Sequence, residues 1–104
     1  MSVVFQIAGK CRAGASQKLA VAFDTMKDAL HRHPGHQRAL LLVNHATLQF
    51  QMMFYWDRFE DGLAFQSETY PRVSTVFTPL IESRGTLITS LVEVELGAAM
   101  EHDA

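Results

Sequence analysis

Apolar residues along the chain fall into stretches of alternation, one short unbroken run and two stretches of helical spacing. Val3, Phe5, Ile7, Gly9 and Cys11 form one side of residues 3–11, with Val4, Gln6, Ala8 and Lys10 on the other. Period two with β-branched and aromatic residues specifies a strand. Gly14 offers a turn, and Ser16 is expected to cap the following helix by accepting a bond from a free backbone N–H. Leu19, Phe23, Met26 and Leu30 then recur at intervals of four, three and four, the buried stripe of an amphipathic helix. His33-Pro34-Gly35 ends it, because proline disfavours helical backbone in the residue before it and glycine admits a left-handed turn.

Ala39 to Val43 is almost wholly apolar, which suits a strand covered on both faces. Asn44-His45-Ala46 supplies a hairpin turn. Leu48, Phe50, Met52, Phe54 and Trp56 next alternate with Thr47, Gln49, Gln51, Met53 and Tyr55, the clearest strand in the sequence. Asp57 and Glu60 have capping-box spacing, which predicts a helix from about Arg58. It carries Phe59, Leu63 and Phe65 and restarts at Thr69-Tyr70-Pro71, where a first-turn proline is tolerated. Val73, Val76, Phe77, Leu80 and Ile81 continue one stripe, bent at Pro79, until Arg84-Gly85 closes it. Residues 86–96 are the last predicted strand, and the small, polar tail 97–104 is expected to fray.

The order βαββαβ defines an α+β, ferredoxin-like domain over residues 1–96, a four-stranded antiparallel sheet with two helices on one face. Two helices cover only that face. Met53, Tyr55 and the apolar second strand leave the other face in need of a cover, which predicts a homodimer through the open sheet faces. Gln49 and Gln51 should then pair across that interface.

The 104 residues carry 48% hydrophobic and 19% charged side chains, enough apolar surface for one ordered domain. A net charge of −2 and the lack of any basic run argue against nucleic acid. No apolar stretch approaches the ~20 residues of a bilayer span, and the start MSVVFQIAGKCR does not read as a secretory signal. A cytoplasmic protein without membrane contact is the expectation. Cys11 is the lone cysteine, so no intramolecular disulfide or all-cysteine metal site exists. The GxSxG, P-loop and dinucleotide signatures are absent from the sequence.

His31, His33 and His36 crowd into HRHPGH. Pro-Gly breaks any fixed metal-ligand spacing, so a solvated helix end is preferred to a metal site. His36 is the best placed of the three, at the opening of the second strand. Phe54, Tyr55, Trp56, Phe59, Phe65, Tyr70 and Phe77 form an aromatic centre that packs as core or stacks on a flat ligand. The Tyr70 hydroxyl needs a partner if buried, which makes it the first candidate for a contact to a ligand oxygen.

The chain resembles the antibiotic biosynthesis monooxygenase-like family of dimeric α+β barrels over roughly Val3 to Leu96. The resemblance rests on His33-Pro34-Gly35 after the first helix, Trp56-Asp57 ending the third strand, and Tyr70-Pro71 followed by Phe77-Thr78-Pro79-Leu80. It implies a face-to-face dimer and a small pocket between each sheet and its own helices. It also implies cofactor-free oxygenases acting on phenols or quinols, together with a heme-degrading branch. At the positions that branch uses for its Asn, Trp and His, this sequence holds Ile7, Phe65 and Thr75, which disfavours heme degradation. Histidines common in quinol-oxidising relatives are replaced by Phe65 and, nearby, Tyr70. The expected site thus has Tyr70 and His36 as catalytic candidates and Ile7, Trp56, Phe65 and Phe77 as a ligand-binding wall, with no metal and no cofactor. A second reading is a non-catalytic dimeric module binding a small hydrophobic ligand.

Overall fold

β1 (Ser2–Cys11) is the hub of the sheet, with β3 (Gln49–Trp56) on one side and β4 (Ile81–Leu91) on the other. The computed structural model describes residues 2–91. β2 (His36–Val43) pairs with β3, giving the order β2-β3-β1-β4 with every neighbour antiparallel. This is the ferredoxin-like α+β arrangement. The predicted alternation holds in β1 and β3: Val3, Phe5, Ile7 and Cys11 meet Phe50, Met52, Phe54 and Trp56 in one core under the helices. On the other face Val4 and Tyr55 are buried, Met53 and Leu40 are half-buried and Leu42 is exposed. On that face the Gln51 amide donates to Gln6 Oε1 at 2.8 Å. Among the described residues no helix is long and apolar enough to cross a membrane.

The first helical layer is two pieces, α1 (Ser16–Asp24) and α2 (Lys27–His31). Leu19, Met26 and Leu30 still form one buried stripe across the break. At the break the Thr25 hydroxyl donates to the Ala22 carbonyl at 2.6 Å, a local bond that competes with helical continuation. Ser16 does not cap: it lies inside the helix, buried, with its hydroxyl 2.7 Å from His45 Nδ1 in the β2–β3 loop. A turn residue on the hairpin thus ties that loop to α1. Asn44 builds the hairpin as its Oδ1 accepts from the Ala46 and Thr47 amides, and Leu48 takes a left-handed φ of 67°.

The second layer departs further from expectation. α3 (Phe59–Ala64) has no side-chain cap, since Asp57 accepts from Gln37 Nε2 at 2.8 Å instead of closing a capping box with Glu60. Gly62, not Leu63, meets the sheet. A Cβ there would stand 2.6 Å from the Phe5 ring and 2.8 Å from Trp56, so glycine is what lets α3 close on the strands, while Phe59 and Leu63 remain exposed. A π-helical turn follows at Phe65–Thr69, then α4 (Tyr70–Val73) and 3-10 turns at Ser74–Val76 and Thr78–Leu80.

Arg84-Gly85 does not close a helix, for β4 already begins at Ile81, five residues before the predicted start. Glu82 to Gly85 show no strand alternation, but β1 offers them a ladder. Lys10 pairs with Ser83, Gly9 with Arg84 and Ala8 with Gly85. Gly9 is required there, because a Cβ would collide with the Ser83 carbonyl oxygen. Pairing with a waiting strand outweighs local propensity. The expected strand residues from Val92 to Leu96 and the tail after them lie outside the described residues.

Candidate functional site

The aromatic centre is assembled from three directions. β3 contributes Phe54 and Trp56, the π-helical turn Phe65, and the segments after it Tyr70 and Phe77. Their rings form a continuous chain: Trp56 to Phe65 at 5.2 Å, Phe54 to Phe65 at 5.8 Å, Phe65 to Tyr70 at 6.2 Å and Tyr70 to Phe77 at 6.0 Å between centroids. These tilted and edge-on contacts suit rings with electron-rich faces. Trp56 and Phe77 are wholly buried.

Beside Tyr70 the packing leaves a cavity of about 10 Å³, lined by Phe5, Ile7, Phe54, Phe65, Gln66 and Tyr70. That is room for about one water molecule. Ile7, Phe65 and Tyr70 of the predicted set come together here, whereas Trp56 and Phe77 stand behind the wall. The Tyr70 hydroxyl and the Trp56 Nε1 are buried without a hydrogen-bond partner in the protein. Such groups are costly to leave unpaired. Burial also lifts the Tyr70 phenol above its usual value, opposed by the nearby charge of Arg84.

His36 lies elsewhere. It opens β2 as expected and packs edge-on against Trp56 at 5.3 Å, yet it lines a separate groove of about 240 Å³ between α2 and β2. Trp56 and Phe65 separate it from Tyr70, so the two catalytic candidates do not share a cavity. Its Nδ1 is buried and unpartnered. Burial, reinforced by the charges of His31 and His33, lowers its pKa from the ordinary 6.5.

The histidines are not a uniformly solvated helix end. His33 is half-buried, edge-on to Trp56 at 5.4 Å and to Phe65 at 5.5 Å. Its approach to the aromatic centre was not readable from sequence. It depends on the turn at Gly35, whose φ of 77° and close contact with the Asp61 side chain exclude other residues. Among the described residues no group of His, Cys, Asp or Glu could hold a metal ion. Cys11 is buried in the core, which pushes its thiol pKa up, and a buried thiol of that kind is inert.

Fold and site together define a ferredoxin-like domain with an aromatic, nearly closed centre between sheet and helices. The fold is that of antibiotic biosynthesis monooxygenase-like proteins. SnoaB, a cofactor-independent oxygenase from Streptomyces nogalater, superimposes with a TM-score of 0.76 at 14% identity, over 90% of this chain and 96% of that one. A putative antibiotic biosynthesis monooxygenase from Nitrosomonas europaea gives 0.73 at 15% identity, covering 88% and 90% of the two chains. A mutant of MhuD with two manganese protoporphyrin IX bound per active site gives 0.73 at 20% identity, over 88% and 96%. No protein-family model matches the sequence, and no curated protein matches it.

A porphyrin does not fit the residues present. The cavity of about 10 Å³ is far too small for one and has no imidazole or thiolate in its lining. Thr75 is exposed, with its hydroxyl donating to the Arg72 carbonyl.

Proposed function

We propose that the chain is a cofactor-independent oxygenase of this fold, acting on a small phenol- or quinol-like compound held between the sheet and the segment 59–80. The observation that carries the reading is the unpaired Tyr70 hydroxyl at an aromatic cavity. A ligand oxygen is the partner that hydroxyl lacks. The cavity has room for about one water molecule, so a ring enters by displacing Phe65. The π-helical turn that starts at Phe65 is the element to move, because such turns interrupt regular helical bonding and recur at functional sites.

In this scheme the substrate supplies the reducing power. Its phenolate gives electrons to dioxygen, one oxygen atom enters a ring carbon as a carbonyl, and the other leaves as water with that carbon's single hydrogen and the proton given up by the phenol. The protein orients the ring through Tyr70, stacks it against Phe54 and the Trp56 side of the centre, and excludes bulk water. His33 is edge-on to both Trp56 and Phe65 of the centre. His36 acts on the centre only through Trp56.

The same proposal includes a homodimer. The outward sheet face carries exposed Leu42 beside a shallow concavity lined by Ala8, Lys10, Gln49 and Gln51, which a second copy would cover. Sedimentation at micromolar concentration should give a dimer, and a monomer would remove this part of the reading.

Oxygen uptake with a hydroxylated anthrone tests the activity. Tyr70→Phe should lower turnover by ~10²-fold or more without loss of thermal stability. If the ligand binds without oxygen uptake, and Tyr70→Phe alters only its affinity, the protein is a binding module of the same fold.

A further inference from the structure

We infer that the depression between the end of α2 and the turn that leads from the π-helical segment into α4 is an anion site, suited to a phosphate group and separate from the centre that holds Tyr70. Its volume is about 230 Å³, and its lining is Ala29, Arg32, His33, Thr69 and Arg72, with no carboxylate among them. Arginine presents a planar fork of donors that matches phosphate oxygens in pairs. Each helical layer supplies one such fork, and a hydroxyl and an imidazole share the lining.

Neither guanidinium is used by the fold. Asp28 and Glu68 precede Arg32 and Arg72 by four residues, the spacing at which acid and base pair along a helix. Neither pair forms: among the described residues the ion pairs are Lys27 with Asp24 and Arg58 with Asp61. Backbone geometry supplies the reason. Arg32 stands just past the last residue of α2, and the π-helical turn Phe65–Thr69 ends between Glu68 and Arg72. The regular period that would align each pair is therefore interrupted. The Thr69 hydroxyl is likewise without a hydrogen bond among the described residues. His33 gives the site a fixed wall, because its half-buried ring is edge-on to both Trp56 and Phe65.

The placement has a mechanical consequence. Thr69 and Arg72 belong to the segment that carries Phe65 and Tyr70, whereas Arg32 belongs to the first helical layer. An anion held by both arginines ties one layer to the other. Amide hydrogen exchange from Phe65 to Val73 should slow when it binds, since local opening of that segment would break the tie.

The full chain can be titrated with inorganic phosphate at constant pH and ionic strength, following backbone amide shifts by NMR. Saturating shifts at Arg32, His33, Thr69 and Arg72 are expected, with a Kd of order 1 mM. Arg32→Gln and Arg72→Gln, exposed substitutions that leave the core untouched, should each weaken binding by about tenfold or more without loss of thermal stability. Lys18→Gln, which removes an exposed cation elsewhere, should leave binding unchanged. Acetate, with fewer oxygens and less charge, should bind at least about tenfold more weakly. Phenyl phosphate is expected to bind at the same residues: tighter binding than the inorganic ion assigns the site to a phosphorylated compound, and equal or weaker binding assigns it to the free ion. Binding that survives the loss of either arginine would overturn the proposal, as would equal binding of acetate. So would shifts that fall instead at Lys10, Lys18 and Lys27, or no saturation at about ten times the expected Kd. None of these outcomes involves Tyr70 or turnover, so this site and the proposed oxygenase fail separately.

Discussion

The two helical segments that cross the sheet do different work. Residues 16–31 keep one buried stripe through a single break and serve packing. Residues 59–80 pass through α-, π-, α- and two 3-10 pieces and place Phe65, Tyr70 and Phe77 at the aromatic centre. The irregular segment is also where a buried hydroxyl stays unpaired. Regular periodicity marks the part that only has to be stable, and irregular backbone marks the part that has to present side chains at one point.

The contrast can be broken most severely at Phe77. Phe77→Ala should cost about 3–5 kcal/mol in denaturant unfolding, whereas Val76→Ala, on the exposed side of the same turn, should stay within about 0.5 kcal/mol. Equal effects would mean that this segment does not grip the core. Gly62→Ala should cost about 1–3 kcal/mol, because its methyl group meets the Phe5 and Trp56 rings. A neutral result would place α3 further from the sheet.

Tyr70→Phe should be neutral or stabilising, by up to about 1–2 kcal/mol, since it removes a buried hydroxyl without a partner. Gain of stability with loss of turnover is the signature of a group kept for function, and a clear loss of stability would show that the hydroxyl has a structural partner.

The smallest effect concerns pH. His36 has a lower pKa folded than the ordinary 6.5, so between those values the unfolded chain binds more protons and stability rises with pH. This dependence should disappear in His36→Phe as followed by thermal unfolding at pH 5 to 8. Tyr70 runs oppositely: its raised folded pKa means that stability falls as pH climbs past the ordinary 10.0.

Much of the fold was legible because the code for it is local and repeated. Alternation in residues 3–11 and 48–56 placed every core residue of β1 and β3 on the correct face. The start of β4 was not, because Ile81 to Gly85 become a strand only through β1 and the space at Gly9. The second segment was misread as one stripe, for neither the inward Gly62 nor a π-helical turn has an apolar signature. Of the candidate site residues, Ile7, Phe65 and Tyr70 line one cavity, while His36 lines another groove and His33 packs edge-on against Trp56 and Phe65. Which way a histidine faces after Pro-Gly is decided by Gly35 and its contact with Asp61, a long-range matter that spacing does not record.

The central claim is that the segment from Phe65 to Tyr70 opens to admit a ring and offers it the Tyr70 hydroxyl. A crystal structure of the chain soaked with a hydroxylated anthracene tests it most directly. The account predicts that the ring replaces Phe65 between Phe54 and Tyr70, with a ligand oxygen within hydrogen-bonding distance of the Tyr70 hydroxyl. A Phe65 that stays in place while the ligand binds elsewhere, or not at all at saturating concentration, would contradict it.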